Sequence, residues 1–119
     1  MAVETTASAP VLDIDGTLAR FGGDKNLFID MSSILLEDSP RLIADLERAV
    51  LAKDAVAVRA SAHAVKGLLA GCGGVRAARV AQSLEDAGLA GDLSKAPALV
   101  ETLQKEFAQL DAALKEYRS

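Results

Sequence analysis

Tryptophan is absent from this 119-residue chain, aromatic residues make up only 3% of it, and cysteine and histidine occur once each. Each shortage removes a class of function. With so few rings there is neither a stacking platform for nucleic-acid bases nor an aromatic cage for a quaternary cation. A net charge of −4 argues against a nucleic-acid partner held through its phosphates. The lone Cys72 excludes an internal disulfide and fits a reducing compartment. No apolar run approaches the roughly 18 residues needed to span a membrane. The N-terminus shows neither the basic nor the apolar region of a signal peptide. The expectation is a cytoplasmic monomer with no membrane or nucleic-acid partner.

What is present favours helices. Half of the residues are hydrophobic, and Ala, Leu, Val, Glu and Lys dominate. The length suits one domain with one core. Residues 1–10, rich in Ala, Ser and Thr, read as a disordered lead or the remnant of a linker, and residues 11–119 as the helical domain. Gly22-Gly23 breaks the chain and Asp24 can cap the next helix. There Leu27, Phe28, Met31, Ile34 and Leu35 form an apolar stripe that resumes at Leu42, Leu46, Ala49 and Val50. The stripe keeps its phase across Ser39-Pro40, which favours one long, kinked helix over two. Asp54 is placed to cap a helix running to about Cys72, whose wheel position reads as a buried core thiol. Gly71, Gly73 and Gly74 form a turn, and a helix from about Val75 to Ala87 follows, with Gly88 to Ser94 as a loop. Pro97 sits in the first turn of a last helix, where Leu99, Val100, Leu103, Phe107, Leu110, Leu114 and Tyr117 recur every three or four residues. Strand-like alternation is absent. The expected fold is all-α, an antiparallel four-helix bundle with a short additional N-terminal helix.

Asp13-Ile14-Asp15-Gly16-Thr17 resembles the nucleophile loop of haloacid-dehalogenase-type phosphatases. That chemistry needs a preceding strand and a Rossmann-like sheet. Only Val11 and Leu12 precede the motif, and no strand–helix alternation follows. The simpler reading is a short helix with Asp13 or Asp15 near its N-cap and Leu18 and Phe21 packing inward.

The chain centres on the stretch from Ala55 to Cys72. On a helical wheel, Val58, Ser61, Val65, Leu68, Leu69 and Cys72 share one side. Val56, Arg59, Ala60, His63, Lys66, Gly67 and Ala70 share the other. The only histidine therefore lies opposite the apolar stripe, with Lys66 and Gly67 one turn beyond it. Glycine inside a helix costs roughly 1 kcal/mol relative to alanine. Here it clears the surface beside an imidazole, while lysine supplies a mobile positive charge. The pattern suits a histidine that a large partner approaches and that carries a phosphoryl group.

His63-Ala64-Val65-Lys66-Gly67 resembles the phosphorylation site of histidine-containing phosphotransfer (HPt) domains of multistep phosphorelays. The likeness extends over roughly Val11 to Tyr117, through the Gly73-Gly74 break, Leu84-Glu85 and Gly91-Asp92. It implies that His63 accepts a phosphoryl group from a receiver-domain aspartate and passes it to another receiver, within a pathway that includes a (hybrid) sensor histidine kinase. It implies that Lys66 stabilises phosphoryl charge, that Gly67 admits the receiver, and that Val56, Arg59, Ala60, Gly67 and Ala70 form the docking face. The chain would then be a carrier rather than an enzyme, with no cofactor of its own and Mg²⁺ held by the receiver. Leu68 and Leu69 depart from the small residues that often follow the glycine. Glu85 stands where some members carry glutamine and is a candidate partner of the imidazole or of Lys66. A helical adaptor that binds receivers without phosphorylation, and a chance exposed histidine, are the competing readings.

Overall fold

Three aspartates start three helices. In the computed structural model, which describes residues 9–118, Asp13 accepts a hydrogen bond from the Gly16 amide at 3.1 Å and opens α1 (Ile14–Arg20). Asp24 accepts from Leu27 at 3.0 Å and opens α2 (Lys25–Leu51). Asp54 accepts from Ala57 at 3.1 Å and opens α3 (Ala55–Gly71). Each carboxylate satisfies an amide that the helix itself leaves without a partner. Two further helices follow, α4 (Val75–Ala90) and α5 (Ala96–Arg118). Of the expected lead, residues 1–8 lie outside the described part.

Short turns between α2, α3, α4 and α5 force consecutive helices to reverse direction. Contacts run from α2 to α3, α3 to α4, α4 to α5 and back from α5 to α2, which closes a four-helix bundle. No strand occurs among the described residues. Asp13-x-Asp-Gly-Thr is thus a helix start, with Thr17 buried beneath it and the Asp13 amide donating to the Gly73 carbonyl at 2.8 Å. Cys72 is buried in the core, and burial pushes its thiol up to about 11, so it stays protonated at neutral pH.

Pro40 lies inside α2, which continues unbroken through it. The ring removes one rung of the helical ladder, and the neighbouring Ser39 hydroxyl donates to the Leu35 carbonyl at 3.0 Å. The inward face of α2 differs from the expected stripe. Phe28 is fully buried between Phe21 and Tyr117, at ring-centroid distances of 5.9 and 5.6 Å. That anchor fixes the rotation of the helix, so Ser32, Leu36 and Ser39 turn inward while Leu27, Met31 and Ile34 stay exposed. Residues 27, 28, 31, 34 and 35 straddle two faces, and the largest ring decides which one is buried.

The fourth helix is longer than expected. It runs through Gly88 to Ala90 and ends where Gly91 adopts φ +74°, a left-handed cap that suits glycine. Arg76 donates to Glu106 of α5 at 2.9 Å. Gly88 is buried against α3: a methyl group there would lie 2.6 Å from the Arg59 nitrogen and 2.8 Å from the Ala55 oxygen. Those atoms are backbone and cannot step aside cheaply. By contrast, a methyl at Gly67 would meet no atom of the described residues within 4 Å. Gly88→Ala is therefore expected to destabilise the bundle by about 1–3 kcal/mol. Gly67→Ala should stabilise it by up to about 1 kcal/mol, the ordinary helix-propensity gain. Paired thermal and urea melts check the opposite signs.

Candidate functional site

On α3, Val58, Ala62, Val65 and Leu69 recur at helical spacing and are buried, which turns the opposite face to solvent. Val56, Arg59, Ala60, His63, Gly67 and Ala70 are all exposed on that face, and Lys66 is half-buried. The His63 side chain is 69% exposed. Only the edge of the ring that faces α4 is engaged.

The group that engages it is Glu85, half-buried on α4. Its Oε2 lies 3.0 Å from His63 Nδ1, and its Oε1 lies 2.8 Å from Lys66 Nζ. One carboxylate thus spans two side chains of the neighbouring helix. Lys66 Nζ also donates to Gln82 Oε1 at 2.9 Å. The lysine expected to be mobile is held at two points. The ammonium beside Glu85, ahead of the imidazole, holds its carboxyl below the usual glutamate value of 4.5 despite partial burial.

The carboxylate also decides the tautomer of the ring. An ionised Glu85 can only accept, so Nδ1 carries the hydrogen and the lone pair resides on Nε2. An exposed imidazole fixed in this way is a nitrogen nucleophile with a defined attacking atom. When Nε2 forms a new bond, the ring becomes cationic and Glu85 is already in place as its counter-ion. Among the described residues no group of three or more His, Cys, Asp or Glu side chains converges in a way that could hold a metal ion.

Two clefts flank His63 and Lys66. One, of about 530 Å³, is lined by Val56, Arg59, Ala60 and His63 of α3 and by Glu85, Gly88 and Leu89 of α4. The other, of about 410 Å³, lies on the Gly67 side, where Lys66, Gly67 and Ala70 meet Gln82 and the α1 residues Thr17 and Arg20. The candidate docking residues are therefore divided: Val56, Arg59 and Ala60 border the first cleft, Gly67 and Ala70 the second. Sequence reasoning missed Leu89, which is 66% exposed beside the 79% exposed Val56. It lies four residues after Glu85, and this spacing places both on one face of α4. It missed Gln82 as well.

A four-helix bundle that presents one exposed imidazole, with one ring nitrogen fixed by a carboxylate, defines the class: a helical module with a lone histidine displayed on its surface. Residues 30–113 match the Hpt domain family, and the chain belongs to that family. Histidine-containing phosphotransfer protein B (HptB) from Pseudomonas aeruginosa PAO1 is similar in structure, with a TM-score of 0.82 at 34% identity over 93% of this chain and 96% of that one. The HPT domain of a sensor hybrid histidine kinase from Shewanella shares the fold, with a TM-score of 0.74 at 22% identity over 90% and 92% of the two chains. No curated protein matches the chain significantly.

The shared carboxylate has a pH signature. A glutamate whose folded pKa is depressed contributes stability above its unfolded value, near 4.5. That contribution is lost as pH falls through the lower folded value. The stability difference between the wild type and Glu85→Gln should therefore hold steady at neutral pH and shrink as the pH falls below about 4.5. Urea melts across that range measure it, and a difference that stays constant would mean that Glu85 is not held by Lys66 and His63.

Proposed function

We propose that this protein is a histidine phosphotransfer carrier in a multistep phosphorelay. His63 Nε2 accepts a phosphoryl group from the aspartyl phosphate of one response-regulator receiver domain and later yields it to the aspartate of another. The observation that carries this reading is the 3.0 Å contact of His63 Nδ1 with Glu85 on an otherwise open face. Membership of the Hpt domain family supports the same role.

In the forward step Nε2 attacks phosphorus, the acyl P–O bond breaks, and the electron pair leaves with the receiver's carboxylate. The hydrogen on Nδ1 stays where it is. The phosphorylated ring is then an imidazolium beside Glu85, which makes the product a close ion pair rather than an isolated charge. Lys66 lowers the cost of gathering negative phosphoryl oxygens at the site. The reverse step runs through the same contacts. The divalent cation and the acidic pocket belong to the receiver, so this chain works as a carrier in the cytoplasm and takes its phosphoryl groups from a relay fed by a hybrid sensor kinase.

Docking uses both clefts. Val56 and Leu89 supply apolar contact on one side of His63, and Gly67 and Ala70 leave a flat approach on the other, which suits a modest, transient interface.

The test is transfer from a phosphorylated receiver domain of the same genome. Label on this protein should be labile in acid and stable in base, as an N–P bond requires. His63→Gln should abolish it while the bundle stays folded, because the side chain is exposed. Lys66→Ala should slow transfer by roughly ten- to a hundredfold, at about 1.4 kcal/mol per factor of ten. Acid-stable label, or labelling of His63→Gln at the wild-type rate, would overturn the assignment. Receiver binding without any transfer would favour an adaptor.

A further inference from the structure

We propose that Gln82 is a positioning residue for Lys66, a role that rests on the phosphocarrier reading and specifies how the lysine serves it. Lys66 Nζ donates to Gln82 Oε1 at 2.9 Å, and Gln82 Nε2 donates to Asp86 Oδ1 at 2.9 Å one turn further along α4. These two contacts settle the orientation of the amide. An ammonium only donates, so it must face the amide oxygen. A carboxylate only accepts, so it must face the amide nitrogen. Only one of the two flipped forms satisfies both neighbours. Asp86 therefore aims the acceptor at Lys66.

The consequence for Lys66 is a two-point hold. Glu85 Oε1 lies 2.8 Å from the ammonium and Gln82 Oε1 lies 2.9 Å from it, while the side chain remains 28% exposed. The ammonium pairs with Glu85 and donates to Gln82, and its three hydrogens leave donor capacity for a phosphoryl oxygen. A free lysine must be ordered in the transfer state, at the expense of considerable rotamer entropy. Here that ordering is complete before the partner arrives, and the charge is already in place when phosphoryl oxygens approach.

The chemistry of the acceptor matters as much as its position. Glu85 already offsets the charge of Lys66. A second carboxylate at position 82 would hold the ammonium equally well but would leave the group net negative, facing an incoming anion. A neutral amide fixes the lysine and leaves its charge available. Gln82 also borders the cleft on the Gly67 side, so it sits where its effect is felt.

The experiment is a double-mutant cycle on the transfer rate, with the phosphorylated receiver that labels the wild type fastest. Gln82→Met removes the acceptor at similar volume, and Gln82→Glu keeps the acceptor and adds a charge. Each should slow transfer by about three- to tenfold at temperatures well below its melting transition. In a Lys66→Ala background, Gln82→Met should have no further effect, because its action runs through the lysine. Thermal melts of all variants separate this from a packing role, which would lower stability and slow transfer whether or not Lys66 is present. If Gln82→Met transfers at or above the wild-type rate, or slows Lys66→Ala by the same factor, the proposal fails. If the wild type itself takes up no label, the carrier reading fails instead.

Discussion

The backbones of α3 and α4 come close enough to touch at Gly88, and the site depends on that approach. Position 88 faces the Ala55 carbonyl and the Arg59 amide, where any side chain would collide. The glycine costs helix propensity but admits a close helix crossing. One turn back along α4, Glu85 is thereby brought within 3.0 Å of a histidine 22 residues away in sequence. The inward row of α4, Ala77, Val80, Ala81, Leu84 and Gly88, fixes its rotation, and that rotation carries Gln82, Glu85 and Leu89 to the seam beside α3. A side chain at 88 would move the seam apart, and contacts of 2.8 to 3.0 Å have little length to spare.

A carboxylate near a phosphoryl-accepting group looks at first like a source of repulsion. The geometry removes the difficulty. Glu85 touches Nδ1 rather than Nε2, the atom proposed to bond phosphorus, and its other oxygen is paired with Lys66. Its charge is directed at the ring, which would gain positive charge in the proposed transfer, rather than at the open side of the imidazole. The pair between Arg76 and Glu106 shows the contrast. It is similarly short, at 2.9 Å, but Glu106 is buried and the pair ties α4 to α5. One ion pair is placed to hold helices together, the other to hold a reactive ring.

Much of this was legible in the sequence because it is local. Asp24 and Asp54 cap within three residues of their own positions, and the exposed face of α3 follows from a single periodicity. The all-α class and the burial of Cys72 follow from composition and pattern. The rotation of α2 was not legible, since its apolar residues fit two faces and the choice depends on where Phe21 and Tyr117 place Phe28. Gly88 read as the start of a loop because glycine usually interrupts helices and Gly91 lies three residues on. Only its neighbour on another helix shows why it belongs inside one. The hold of Gln82 on Lys66 was hidden for the same reason: its partner is 16 residues away across a helix pair.

Gly67 and Gly88 carry opposite information, although both are glycines inside helices. Replacing Gly88 creates a collision within the chain, so the fold itself accounts for it. Gly67 faces open space, and the helix it interrupts would be firmer with alanine there. Nothing among the described residues offsets that weakness. Val56 and Leu89, on the other side of His63, are likewise large apolar side chains left mostly in water. Local choices that disfavour the isolated molecule thus gather around one imidazole. A surface that departs from the chain's own optimum on both sides of its exposed imidazole is what the proposed docking of a partner would require.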